Sequence, residues 1–393
     1  MVMKINLPLL ALATGAFGIG VAEFSPMGLL SLIADDLDVS IPAAGLLISA
    51  YAIGVMAGAP LMTLTTGRIR RRSLLIGLAA IFTFGNVLAA LSENYNMLMM
   101  ARVVTSLNHG AFFGVGSVVA ASVVPPGRGA SAVAAMFMGL TIANVVGVPL
   151  ATWTGEQFGW RSAFWGISLL GFVTMAALRL TLPDRPVPEN GGALAELRVL
   201  GRKQVLAALS LTGLGASAMF AVYTYIAPIL EVGAGASIGF VTSMLIVYGL
   251  GLTVGNWLGG RYADRSVDCT LMAALAGMAI VLVVFAWLMA FTIPAIFLIF
   301  LWGVASFAIV PPLQVRVMEA AKDAPNLASA VNIGAFNLGN AVGAALGGAV
   351  IAAGFGYRAV PLAGAVMAIL ALACVALASR SPQGSTAEPL PGQ

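Results

Sequence analysis

Tyr51-Ala-Ile-Gly54-Val-Met-Ala-Gly58 recurs as Tyr248-Gly-Leu-Gly251-Leu-Thr-Val-Gly255, a shift from 51 to 248 of 197 residues. Beyond each final glycine, in the same register, stand Gly67-Arg68 and Asp264-Arg265. Ala130-Ser-Ala-Val133 returns as Ala328-Ser-Ala-Val331, and Asn144-x-x-Gly147 as Asn340-x-x-Gly343 with a small slip. Several matches in one order mean that the chain is written twice. Each motif lies in a long apolar run, so the repeated unit is a bundle of membrane spans. Six spans per unit keep both halves in the same orientation, as parallel repeats require.

Composition agrees. Of 393 residues, 60% are hydrophobic and 9% charged, with a mean hydropathy of +1.00. A soluble domain carries about 25% charge, and so little charge cannot coat a water-exposed surface of this size. A span needs about 20 mainly apolar residues. Twelve stretches qualify: 7–33, 42–66, 73–92, 97–123, 130–153, 162–182, 204–230, 238–260, 270–290, 294–315, 327–353 and 359–379. The first run is too long for a signal peptide and reads as a permanent span. These boundaries predict an N-terminal six-helix bundle over 1–183, a cytoplasmic linker over 184–203, a C-terminal bundle over 204–379 and a disordered tail over 380–393.

Orientation follows from Lys and Arg, which favour cytoplasmic loops. With the N-terminus inside, cytoplasmic segments collect Lys4, Arg68, Arg70, Arg71, Arg72, Arg128, the linker arginines, Arg261, Arg265, Arg316, Lys322 and Arg380. Outer loops receive only Arg161 and Arg358. Both termini are therefore expected in the cytoplasm. Cys269 and Cys374 lack any ligand-type spacing and read as buried thiols, neither disulfide nor metal site. The glycines of Gly54-x-x-x-Gly58, Gly251-x-x-x-Gly255 and Gly339-x-x-x-Gly343 suit close helix packing in lipid, with fixed packing and sliding both open.

Gly260-Arg261-Tyr262-Ala263-Asp264-Arg265, between spans eight and nine, resembles the Gly-x-Leu-Ala-Asp-Arg loop of the major facilitator superfamily. The matching first-half loop, Gly67-Arg68-Ile69-Arg70-Arg71-Arg72, keeps the basic run but has Gly67 in the aspartate position. Ala22-Glu23-Phe24 with Met27-Gly28, Ser40-Ile41-Pro42-Ala43-Ala44-Gly45, His109-Gly110-Ala111-Phe112-Phe113-Gly114, Ala143-Asn144 with Gly147-x-Pro149, and Phe336-Asn337-Leu338-Gly339 narrow the likeness. They resemble the arabinose-efflux-like (AraJ/YdhP-type) permeases of the drug:proton antiporter group. Ala143-Asn144 stands where the antiporter motif of span five carries Gly-Pro. The resemblance implies an all-α fold with twelve transmembrane helices in two pseudo-symmetric bundles, in a bacterial-type inner membrane. It also implies gating loops at Arg68, Arg71, Arg72, Gly260, Asp264 and Arg265, and a central cavity lined by spans one, four, seven and ten.

Ionisable groups inside a membrane are functional candidates by default, and Glu23, Arg102 and His109 are the three that stand out. Glu23, about 16 residues into span one, is the first candidate for a proton-coupling acid; a paired structural acid is the plainer alternative. Arg102, Thr105, Ser106 and His109, at offsets 0, +3, +4 and +7, share one face of span four. Arg102 is expected to act as a fixed charge beside an acid or a polar substrate, or else to snorkel outward. His109, the single histidine, is either a proton relay or a hydrogen-bonded structural group, and metal chemistry needing several imidazoles is excluded. In the second half, Tyr223, Tyr225, Trp302, Ser306 and Asn337 offer an aromatic and polar wall, which with Glu23, Met27, Thr105, Ser106, His109 and Phe113 makes the expected substrate cavity. Gly54, Gly58, Gly147, Pro149, Gly251, Gly255, Gly339 and Gly343 are the expected packing positions.

No nucleophile elbow, histidine pair, Walker loop or acidic Mg²⁺ cluster occurs, so an enzyme, a cofactor and ATP-driven transport are not expected. The expected partners are a small-molecule substrate, protons and the bilayer, with no nucleic acid, for a chain acting as a monomer. Proton-coupled export of a small drug-like or sugar-like compound is the leading expectation, with proton-coupled uptake of a sugar or related solute as its alternative. A receptor that binds without transport is the remote third.

Overall fold

The computed structural model describes residues 6–66, 69–125, 129–184, 199, 201–322 and 325–380, without side chains at 59–60, 63–65, 129–131, 325–327, 329–330 and 380. Among these, twelve helices are long and apolar enough to cross a membrane. The first six are Leu7–Gly28, Ile41–Gly58, Arg71–Ala90, Tyr95–Ser122, Ala132–Phe158 and Trp160–Thr181. The second six are Lys203–Tyr223, Ile238–Ala263, Val267–Leu288, Thr292–Ala320, Val331–Ala352 and Ala359–Ser379. They are numbered here as spans one to twelve. Arg68 and most of the expected linker and tail lie outside the described residues.

The 197-residue repeat reaches individual contacts. Ser40 caps span two, its Oγ accepting from Ala43 N at 3.3 Å; Ser237, 197 residues on, caps span eight from Phe240 N at the same distance. Such caps satisfy amides that a helix start leaves without partners. Gly54 faces the Ser106 side chain and Gly58 lies against Leu107 of span four. Gly251 lies against Gly303 and Gly255 against Val304 of span ten, again 197 residues on. Both glycine pairs therefore bind spans within one half. Gly339 and Gly343 seat span eleven on span seven at Gly213 and Ser217, while Gly147 meets Phe17 and Val21 of span one. Pro149 is buried two residues further on.

Three interruptions shape the first half. Span one contains Pro26 and ends at Gly28, followed by a separate short helix, Leu30–Asp36. Span four breaks at Leu107–Asn108, where the Asn108 side chain bonds Thr105 O at 2.9 Å. Span five widens into a π-type turn at Ala143–Gly147. Opposite that turn Gly249 of span eight lets the helices close, since any Cβ there would stand 2.7 Å from Asn144 O.

The halves meet along spans one and seven, two and eleven, and five and eight. Phe24 stands 6.2 Å from Phe220 and 6.0 Å from Tyr223, ring centre to ring centre. Ser49 donates to Ala341 O at 3.2 Å, and Thr242 to Glu156 Oε1 at 2.7 Å. With the termini inside, these contacts lie in the outer half of the spans. Trp287, Phe297 and Leu180 are among many large apolar side chains exposed on the bundle exterior, where a bilayer would cover them.

The cysteines depart from expectation: Cys269 and Cys374 are both free and exposed. The core-facing stripe of span nine is Leu271, Leu275, Met278 and Leu282. Two residues before Leu271, Cys269 falls on the opposite side of the helix. An apolar setting in sequence thus meant the bundle exterior here.

Candidate functional site

Span one is buried continuously from Gly18 to Gly28, so it runs through the middle of the molecule. Glu23 sits in that stretch, 4% exposed. Pro26, three residues on, has no N–H and cannot bond the carbonyl of Ala22 as a helix interior would. Arg102 of span four takes that place, Nη1 donating to Ala22 O at 2.7 Å. The proline thereby creates the acceptor that fixes the arginine.

Arg102 is 1% exposed, and its guanidinium lies 4.2 Å from the centre of the Tyr51 ring. A planar guanidinium over an aromatic face gains cation–π attraction that strengthens when water is excluded. The Tyr51 hydroxyl is 3.1 Å from His109 Nδ1, which lies 4.0 Å from Glu23 Oε2. Glu23, His109, Tyr51, Arg102 and Ala22 thus form a closed ring from spans one, two and four. Phe113, 5.1 Å from His109 and stacked on Phe137 at 4.9 Å, screens one side. Arg102 Nε and Nη2 have no hydrogen-bond partner among the described residues.

The other members of the span-four stripe do not join the ring. Thr105 bonds back to Ala101 O at 2.8 Å and lies against Gly85 of span three. Ser106 bonds Val103 O at 2.6 Å and faces Gly54 of span two. Helical offsets put them on the flanks of the stripe, and each flank is occupied by a neighbouring span. In this structure both pack against neighbouring spans.

In the second half, Tyr223, Tyr248 and Trp302 pack together. Ring centres are 4.7 Å apart for Tyr223–Tyr248, 4.3 Å for Tyr248–Trp302 and 6.2 Å for Tyr223–Trp302. Ser306 stands beside Tyr248, yet neither oxygen has a well-formed hydrogen bond. Met27 is buried in the shared core. Tyr225 is separate from Tyr223: its hydroxyl bonds Ala344 O at 2.8 Å, against span eleven and Gly45 of span two. Tyr225 therefore closes the seam between the halves in this structure. Asn337 donates to Ile333 O at 3.0 Å in its own helix, leaving Oδ1 without a partner.

Of the loop residues, Arg72 donates to the Arg179 carbonyl, and Arg71 opens span three. Asp264 ends span eight, and Arg265 stacks over Tyr262 at 5.6 Å. A Cβ added at Gly260 would meet no other described residue within 4 Å. Among the described residues no group of three or more His, Cys, Asp or Glu side chains is placed to hold a metal.

A family model of the Major Facilitator Superfamily matches residues 12–332. The chain belongs to that superfamily. It is 57% identical over 378 residues to the inner membrane transport protein YdhP of Escherichia coli (strain K12), covering 96% of this chain and 97% of that one. It is 36% identical over 386 residues to the putative transporter AraJ of the same strain, covering 97% of each. Two solved structures share the fold: a D-xylose-proton symporter (TM-score 0.72, 18% identity, 92% of this chain and 96% of that one) and a bacterial homolog of the human lysosomal transporter Spinster in an inward-facing conformation (0.70, 16%, 95% and 96%). The chain is thus a multi-pass inner-membrane transporter of this superfamily, and not an enzyme. Tyr51 and Tyr248 were visible as the first residue of the repeated motif, but that motif reads as glycine packing, and nothing in it marks the tyrosines as site residues.

Proposed function

We propose that the protein exports a small organic compound in exchange for protons, with Glu23 as the group that carries the proton. The observation that supports this is the buried ring of Glu23, His109, Tyr51 and Arg102 at the seam of the two halves. Exchange requires that proton and substrate never leave the protein together. An ionised Glu23 finds the fork of Arg102, whose Nε and Nη2 are unengaged. A protonated Glu23 needs no cation and donates to a neighbour such as His109. The acid therefore has one arrangement for each charge state, and rocking of the halves exposes it to each side in turn. His109 and Tyr51 hold the acid in place and relay its proton.

The test is liposomes containing the purified protein and a trapped pH dye, to which solutes are added from outside. Antiport makes the lumen alkaline as solute enters, because protons leave. Acidification of the lumen would establish symport in its place. Glu23→Gln abolishes the signal while leaving the folded protein intact; a normal signal from this variant would remove Glu23 from the role.

A further inference from the structure

The repeat relates the proton ring to a matching corner in the second half. A shift of 197 residues carries Tyr51 onto Tyr248, His109 onto Ser306, Arg102 onto Ile299 and Glu23 onto Phe220. The tyrosine remains and every ionisable partner is replaced by a neutral one. Tyr248 thereby loses its imidazole, and serine is too short to take over that bond in good geometry.

Three polar tips are left in one corner. Trp302 Nε1 has no hydrogen-bond partner among the described residues, and Tyr248 Oη and Ser306 Oγ stand beside each other without a well-formed bond, although the three residues are 1%, 1% and 0% exposed. The large majority of buried side-chain polar atoms are bonded in proteins, and three poorly satisfied tips gathered in one aromatic corner point to a ligand. The tips are framed by flat surfaces, Tyr223 tilted 30° to Tyr248 and Tyr248 tilted 37° to Trp302. Phe24 brings the first half up to this corner, 6.0 Å from Tyr223.

We infer that the Tyr248–Trp302–Ser306 corner binds an uncharged solute that carries a flat ring and, on its edge, both a hydrogen-bond acceptor and a donor. Trp302 can only donate, so the solute supplies an acceptor there; the two hydroxyls accept or donate. The rings supply stacking surface. Charge is disfavoured because Phe220 and Ile299 occupy the positions where the first half keeps its acid and its guanidinium. A buried ion without a counter-charge is expensive. The free edge of Arg102 serves Glu23, on the transport reading above, from which this inference takes the existence of a transported solute.

The experiment uses the full chain in nanodiscs and calorimetric titration. The neutral probes are chloramphenicol, uridine and 4-nitrophenyl β-D-glucoside; ethidium is the cation and salicylate the anion. At least one neutral probe binds, and more tightly than either ion. Tyr248→Phe, Ser306→Ala and Trp302→Phe, which keep shape or ring, each weaken it by about five- to tenfold, the worth of one hydrogen bond. Melting temperatures near wild type establish that the variants are folded; should Tyr248→Phe fail to fold, Ser306→Ala alone decides. Failure of every neutral probe to bind, tighter binding of ethidium or salicylate, or affinity indifferent to the variants would overturn the inference. Glu23→Gln separates the two readings. It retains neutral-probe binding while losing proton movement. Probe binding without any proton movement in wild type removes the antiport reading alone.

Discussion

Thr242 of the second half donates its hydroxyl to Glu156 of the first at 2.7 Å, closing the outer ends of spans eight and five on each other. Both residues are half-buried. Glu231, just past span seven, faces Ser31, Asp35 and Glu156 of the first half and Tyr357 of its own. No described ion pair neutralises Glu156 or Glu231. Thr242→Val removes one hydrogen bond of about 1 kcal/mol, which shifts a two-state opening by roughly fivefold. Spin labels on the outer ends of spans five and eight are expected to show a larger separated population.

The same seam responds to pH. Burial raises the Glu231 carboxyl above its ordinary value in this closed arrangement, ahead of the smaller effects of Ser31, Glu156 and Asp35. A group whose pKa is raised in one arrangement stabilises it when protonated, and that support is lost as pH rises through the raised value. Mild acid outside therefore favours the closed outer face. Label distances measured between pH 8 and pH 5 should contract on acidification, and Glu231→Gln should remove most of the response.

A second outer contact works with the opposite sign. Arg161 donates to Asp36 at 2.6 Å and to Ser92 O at 2.9 Å, and Trp160 Nε1 reaches Asp36 at 3.1 Å, tying spans one, three and six. The Arg161 hydrogen bond holds the Asp36 carboxyl below its ordinary value. Stability from such a group is present above the unfolded value, about 3.9, and is lost as pH falls through the lower folded one. Because both side chains are more than a third exposed, at 35% and 45%, Asp36→Asn should cost no more than about 1 kcal/mol at neutral pH. Thermal melts at pH 7 and pH 3 should differ less in this variant than in wild type.

Gly255 has no room for a side chain, since its added Cβ would run into the Val304 carbonyl of span ten. A Cβ added at Gly277 would meet no other described residue within 4 Å. Gly255→Ala should destabilise by about 1–3 kcal/mol, as overpacking does, whereas Gly277→Ala should be neutral or mildly stabilising. Melting temperatures in detergent separate them.

Arg102→Lys keeps the charge but loses the planar fork and the stacking on Tyr51, a change that is not conservative at such a site. Transport should fall at least tenfold with folding intact. Near-normal transport would mean that charge alone suffices there.

Much of this architecture is legible before any coordinates, because lipid forces simple rules on a sequence. Twelve apolar runs and the repeated tyrosine-glycine motif determine spans and halves. Glu23, Arg102 and His109 stand out because an ionisable group among apolar neighbours has few bland explanations. The cluster itself is less legible. Thr105 and Ser106 share the helical face of Arg102, but which flank a neighbouring span occupies depends on where Gly85 and Gly54 come close. The bond from Arg102 to Ala22 is written in Pro26 only once the approach of span four to span one is known. Tyr225 and Tyr223 are two residues apart, and packing alone decides that one closes a seam while the other joins an aromatic corner.

The equivalent glycine contacts of spans two and eight differ in kind. Gly251, Gly255 and Gly259 bring the backbone of span eight onto the backbone of span ten. At the equivalent place in the first half Gly54 meets a serine side chain of span four, while helix interruptions occur in both halves, at Leu107–Asn108 and Ala143–Gly147 and again at Ile309 and Ile229–Gly233. Backbone against backbone leaves no rotamers to give way, so the contact of spans eight and ten yields less than that of spans two and four. Strain on these two equivalent contacts is therefore taken up first between spans two and four, the pair that carries Tyr51, Arg102 and His109.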